Sequence, residues 1–238
     1  MDAKTDLGAL QNLVEPSLIR GGPFYRGQRA IRLIHPEKWN MIRRATIAVV
    51  VGWPPLVVLP AVLNTSGLVS LLRDYRVYSR MLIAVPILLL GQAVMETRFR
   101  MLVGHFLDAG LVSGSEIQRM QAAIKTVLRL RDSALPELAI FLLVMIHTAT
   151  SERTNAVVVS ATIFQFLLGL GLWKWLLWAI FAFKLSRLKL NLVPTHPDEH
   201  GGLGFLSLTP IAFAPIVFAA TAVIGSTWRH VSLWGEPI

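Results

Sequence analysis

Residues 156–183 read AVVVSATIFQFLLGLGLWKWLLWAIFAF. Lys174 carries the only formal charge in the run, and apolar residues fall on every face of a helix drawn through it. A soluble helix shows one apolar stripe and one polar face. A helix of about 20 apolar residues crosses the roughly 30 Å hydrocarbon core of a bilayer. The stretch therefore sets the class: an all-α chain that spans a membrane. A membrane β-barrel would alternate apolar and polar residues, whereas this run is continuous.

Outward from it, Ala45–Asn64, Met81–Met95, Leu135–Thr150 and Leu203–Trp228 read the same way, which predicts a polytopic protein of about five transmembrane helices. Hydrophobic residues make up 54% of the chain and charged ones 16%, well under the roughly 25% of a soluble domain. Pro54, Pro55 and Pro60 predict a kink or break in the first span, because each removes a helical N–H. Residues 1–44 read as a cytosolic tail and an interfacial segment, and 45–238 as a helical membrane domain with a polar insert at 96–136. Within the insert Ile117, Met120, Ile124 and Val127 recur at helical spacing among Arg119, Lys125, Arg129 and Arg131. This predicts a cytosolic amphipathic helix that ends near Asp132-Ser133, ahead of Pro136.

The net charge is +9. The basic residues flank apolar runs and no nucleic-acid motif accompanies them, so they are read as topology signals and not as a nucleic-acid surface. With the N-terminus inside, the inner segments hold eight, six and three Lys or Arg, against three, one and one outside. This asymmetry supports a cytoplasmic N-terminus and an outer C-terminus. Arg73, Arg76 and Arg80, read as an outer loop, run against that direction. Cysteine is absent, which excludes disulfides and thiolate chemistry.

The densest polar stretch is Asn191–Leu206, NLVPTHPDEHGGLGFL. His196, Asp198 and His200 are of types that ligate zinc or another divalent metal. Gly201, Gly202 and Gly204 suit a backbone that holds an anion, such as a lipid headgroup. The competing reading is structural: Thr195-x-x-Asp198 resembles a capping box, Pro197 suits a helix's first turn, and the glycines permit a tight entry to the fifth span. Inside the spans Gln92, Glu96, Glu137, Gln165 and Lys174 are the polar candidates, read as interhelical pairs, snorkelling groups or an ion relay.

Several stretches together resemble an uncharacterised group of multi-pass bacterial inner-membrane proteins. They are FYRGQRAIRLIHPEKWN (24–40), RMLIAVPILLLGQ (80–92), HFLDAGLV (105–112), LRDS (130–133), LPEL (135–138) and LSRLKLNLVPTHPDEHGGLGFL (185–206). Their most distinctive feature is the His-Pro-Asp-x-x-Gly-Gly-Leu-Gly-Phe motif. The resemblance implies a helical inner-membrane protein and supplies no activity. It also implies a longer form, with a further span and a cytosolic tail. The expected function is a non-enzymatic scaffold, regulator or transport-related component. Its partners are membrane lipids through the polar motif, and a protein partner or second copy. The alternatives are a metal-dependent membrane enzyme using His196, Asp198 and His200, and a small transporter or channel with an intramembrane Lys/Glu path.

Overall fold

A computed structural model of the chain describes residues 21–30, 41–63, 74–108, 110–112, 115–150, 155–192, 197 and 199–234. Every regular element among them is helical. In order these are α1 (Pro23–Ala30), α2 (Met41–Leu63), α3 (Tyr75–Tyr78), a π-helical stretch (Ser79–Ala84), α4 (Val85–Asp108), α5 (Ser115–Asp132), α6 (Leu135–Ala149), α7 (Asn155–Leu185), a 3₁₀ turn (Gly204–Leu208) and α8 (Thr209–Trp234).

Among the described residues, three helical runs are long and apolar enough to cross a bilayer: Tyr75–Phe106, Val157–Leu185 and Gly204–Leu233. A fourth is reached only if α5 and α6 count as one span. Three to four of the roughly five spans read from the sequence are thus found among the described residues. The 15 residues of α6 rise only about 22 Å, short of the hydrocarbon core. Among the described residues, Ala45–Val58 of α2 is a shorter apolar helix. Pro54, Pro55 and Pro60 all lie within one helical assignment and do not end it. Conversely, the second span begins at Tyr75 instead of Met81, and α4 runs on to Asp108 through the start of the expected polar insert. The last helix continues to Trp234, past the expected end at Trp228.

The π-helical stretch has a local cause. Pro86 has no N–H and its ring crowds the carbonyl four residues back, that of Leu82. The widened turn over Ser79–Ala84 absorbs this misfit, and α-helix resumes at Val85.

Apolar side chains point outward along these helices. Leu138, Phe141, Leu142, Leu143, Met145 and Ile146 of α6 are all exposed, and Val144 alone is buried there. Only 33% of the apolar window in α7 and 28% of that in Gly204–Leu233 is buried. In water each such large side chain would forgo about 1.5–3 kcal/mol of burial. Surrounded by acyl chains it forgoes none, so the outward faces fit a lipid solvent.

The chain divides into two compact units. The first comprises Met1–Gly27, Val94–Ala134 and Trp173–Phe213. Its core centres on Phe99 of α4, which stacks on Trp178 of α7 with ring centroids 4.5 Å apart and meets Phe213 of α8 at 5.4 Å. Here α5 packs through Ile117, Met120, Ile124 and Val127, all buried, while Gln118, Arg119, Lys125 and Arg129 are exposed. The 3.6-residue period thus becomes one buried face and one charged face, and the helix stops at Asp132 as the spacing predicts. Asp132 also anchors the segment before α1: its carboxylate accepts from the Gly22 N–H, and its carbonyl accepts from Arg26.

The second unit comprises Gln28–Ala93, Leu135–Leu172 and Ala214–Ile238. Within it α6 and α7 form an antiparallel pair. The Thr148 and Thr162 hydroxyls lie 2.9 Å apart, the Gln165 amide meets His147 Nδ1 at 3.3 Å, and Phe141 meets Phe166 edge-on. Glycines set the closest approaches. A Cβ on Gly169 would come within 2.6 Å of Ile140, and one on Gly171 within 3.1 Å of Ile216. Arg80 reaches Ser160 near the start of α7, and Gly91 meets Pro215 while Gly171 meets Ile216. In this unit, then, Tyr75–Ala93 and α7 run parallel, and α6 is the element that returns the chain between them.

Candidate functional site

Two polar constellations emerge, one in each unit. The first is assembled around the glycine-rich stretch. α7 ends at Leu185, and the chain turns through Ser186, Arg187 and Leu188. Two bonds tie Lys189 and Asn191 to the end of α4 and the start of α5. The Glu116 carboxylate accepts from the Lys189 N–H (3.3 Å) and from Arg119 (3.2 Å), and the Asn191 N–H donates to the Leu111 carbonyl (2.8 Å). The two polar segments that the charge count assigned to one side therefore meet in one surface. Glu116 is buried and holds the junction.

Beyond Pro197 the turn has left-handed backbone at Glu199 (φ 56°), Gly201 (φ 65°) and Gly202 (φ 93°). Residues with a Cβ adopt this region at a cost of about 1–2 kcal/mol, so glycine is required where the side chain would also be enclosed. Gly202 is buried and Gly201 half-buried. The turn delivers Phe205 onto α4, where its ring meets Phe106 edge-on at 4.9 Å and His105 at 5.2 Å. We expect Gly202→Ala to lower the thermal midpoint in detergent clearly more than Gly204→Ala, whose parent residue lies in the 3₁₀ turn without positive φ. Equal midpoints for the two variants would refute this role for the backbone angle.

Thr195 and Asp198, the two ends of the expected capping box, lie outside the described residues. Regular helix begins at Gly204, not near Pro197; Pro197 lies in a turn, and residues 199–202 are bends and turns. The residue preceding the 3₁₀ turn is Leu203, whose side chain makes no cap. Two successive glycines with positive φ turn the chain just ahead of that start.

Of the metal-type trio, His200 is exposed, while His196 and Asp198 lie outside the described residues. Among the described residues no group of three His, Asp or Glu side chains converges. Glu96 is buried and pairs with Arg100 at 2.9 Å, one turn on. It shares its unit with Lys174, which is half-buried in α7. Gln92, Glu137 and Gln165 belong to the other unit. Gln92 is buried, Glu137 sits in the first turn of α6, and Gln165 pairs with His147 as above.

An open pocket of about 100 Å³ completes the first constellation. Arg98, Met101, Leu102 and His105 line it from α4, and Phe205 and Leu208 from the 3₁₀ turn. Neither Arg98 nor His105 stands out in the sequence. What marks them is spacing: 98, 101, 102 and 105 form one stripe of a helix.

The second constellation is buried at the start of α3. Asp74 caps that helix, accepting from the Arg76 N–H at 2.9 Å. Its two oxygens also take Nε and Nη2 of Arg76 at 2.8–3.1 Å. His230 Nδ1 of α8 lies 3.8 Å away. All three are buried, as are Arg80 and Ser160, whose side chains meet at 3.5 Å. Ser79 donates to the Ala222 carbonyl. Burial pushes the Asp74 carboxyl up, but the hydrogen bonds and charge of Arg76, helped by His230, outweigh it and leave the carboxyl below its usual range. Arg76 and Arg80, which the sequence places in an outer loop, are thus helix residues turned inward, while Arg73 lies outside the described residues. The available signal was Asp74 as a cap before Val77, Met81 and Ala84, which fall on one helix face.

Compared with protein-family models, with curated proteins and with solved structures, the chain matches none. Its function has to be argued from these two constellations.

Proposed function

We propose that the chain is a bacterial inner-membrane protein of the motif-bearing group it resembles, with a non-enzymatic role. Its polar surface, built from the α4–α5 junction and residues 186–208, engages anionic lipid headgroups on the cytoplasmic side. One observation carries this: Glu116 and the Asn191–Leu111 bond join two basic segments into one surface. Arg119, Lys125, Arg129, Arg187 and Lys189 are exposed in these segments. A basic residue beside an anionic leaflet contributes about 1 kcal/mol, and salt screens it within about a Debye length.

α6 returns the chain between the parallel Tyr75–Ala93 and α7. On this topology residues 186–192 and 199–203 face the cytoplasm. Hydrogen exchange in nanodiscs tests the lipid reading. Peptides covering 110–132 and 186–206 should exchange more slowly in bilayers rich in phosphatidylglycerol than in phosphatidylcholine. The difference should shrink in high salt and in a Lys125→Glu, Arg129→Glu variant. Identical exchange in both bilayers would sink the proposal.

A further inference from the structure

We infer that the pocket between α4 and the Gly204–Leu208 turn is a discrete site for one anionic phospholipid. Arg98 and His105 hold its phosphate, and the apolar wall holds the first part of an acyl chain. This rests on the headgroup reading above and gives it a place and a ligand class.

The lining has the two characters such a ligand needs. Met101, Leu102, Phe205 and Leu208 offer an apolar wall, with Arg98 and His105 at the ends of the same stripe. Residues seven apart on a helix lie about 10 Å apart along its axis on nearly the same face, so a long Arg98 side chain can turn toward His105. Among the described residues neither Arg98 nor His105 makes an ion pair or a hydrogen bond; His105 has only its ring contact with Phe205. The acid on the preceding turn, Glu96, is engaged by Arg100. A cation left on an apolar wall favours an anion that brings its own apolar part.

Size narrows the ligand further. A dry cavity of about 150 Å³ accepts a benzene ring, so about 100 Å³ takes a short run of methylenes and not a whole lipid. The remainder lies along exposed apolar surface, since Met101 and Leu208 are exposed at the pocket's margin. Inorganic phosphate alone would gain nothing from the apolar wall and should not compete.

Native mass spectrometry of the full chain released from nanodiscs of mixed phosphatidylglycerol and phosphatidylcholine tests the site. Wild type should retain one phosphatidylglycerol, and millimolar inorganic phosphate should not displace it. Arg98→Ala should reduce that retained species about tenfold, the factor that corresponds to one charge-assisted contact. Leu208→Trp fills the pocket without touching a cation and should reduce it as well, at a half-exposed position that the fold tolerates. The surface variant Lys125→Glu, Arg129→Glu should leave it unchanged. Retention at the wild-type level in both Arg98→Ala and Leu208→Trp overturns the site. If the surface variant still loses its slow exchange in that case, the broader headgroup reading survives alone. Equal retention of both lipids by wild type, with no exchange difference between bilayers, overturns both.

Discussion

Asp74→Ala lowers the stability of the folded protein in detergent by about 3–5 kcal/mol, the range for removing one partner of a buried ion pair. Asp74 and Arg76 keep only 5% and 10% of their side-chain surface, so water cannot replace the lost carboxylate. The substitution also removes the cap of α3. It withdraws the negative charge beside His230 at the far end of the chain. Removing the pair together, as Asp74→Ala with Arg76→Met, should cost much less than the Asp74→Ala and Arg76→Met losses added, because no charge is then stranded. Denaturant titration followed by tryptophan fluorescence, run on all four proteins, reads this directly. Additive losses would mean that the two groups are independent and that no bridge joins them in the folded protein.

The same carboxylate fixes a pH dependence. Its folded pKa is depressed, so the unfolded chain takes up the proton first. The stability it contributes is complete above the ordinary Asp value of about 3.9 and is lost as pH falls through the lower folded value. Wild type should therefore weaken on acidification below about pH 4 through this group. Asp74→Asn, already weaker at neutral pH, should show a flatter acid limb.

Gly91→Ala is the second large effect, at about 1–3 kcal/mol for overpacking, and Gly91→Leu should exceed it. A Cβ on Gly91 would stand 2.5 Å from Cβ and 3.0 Å from Cγ of Pro215. Both atoms belong to a ring fixed in the backbone of α8, so no rotamer change relieves the clash. Helices in lipid gain no hydrophobic advantage from association and depend on such close contact. Gly225→Ala in the same helix is the control. A Cβ there meets nothing within 4 Å, so removing the glycine should be neutral or mildly stabilising. The measurement is the midpoint of heat-induced aggregation for the three variants. A Gly91→Ala midpoint equal to that of Gly225→Ala would show that the helices do not touch there.

At both sites the pattern along the chain falls short of the structure. The α5 helix was legible because Ile117, Met120, Ile124 and Val127 repeat with the helical period and the charges fall between them. α7 was legible because its length and lack of charge admit one solvent only. The ends of the spans were misplaced wherever a charged residue turned inward. Arg76, Arg80 and His230 look like flanks in one dimension; Arg80 and His230 meet partners far along the chain, and Arg76 is buried with Asp74 two residues before it. The pocket was hidden for a related reason. Arg98 and His105 are unremarkable until Phe205, a hundred residues on, is brought against the same stripe.

From the sequence alone came the class, the apolar helices, the amphipathic α5 and the concentration of polar residues near 191–206. Each depends on periodicity or composition, which act along the chain within a few turns. The tertiary structure alone decided which helices are long enough to span, which arginines are interior and where a ligand fits. Those depend on charge neutralisation and steric contact between residues remote in sequence. The energy of an ion or a ring is set by what stands beside it in space.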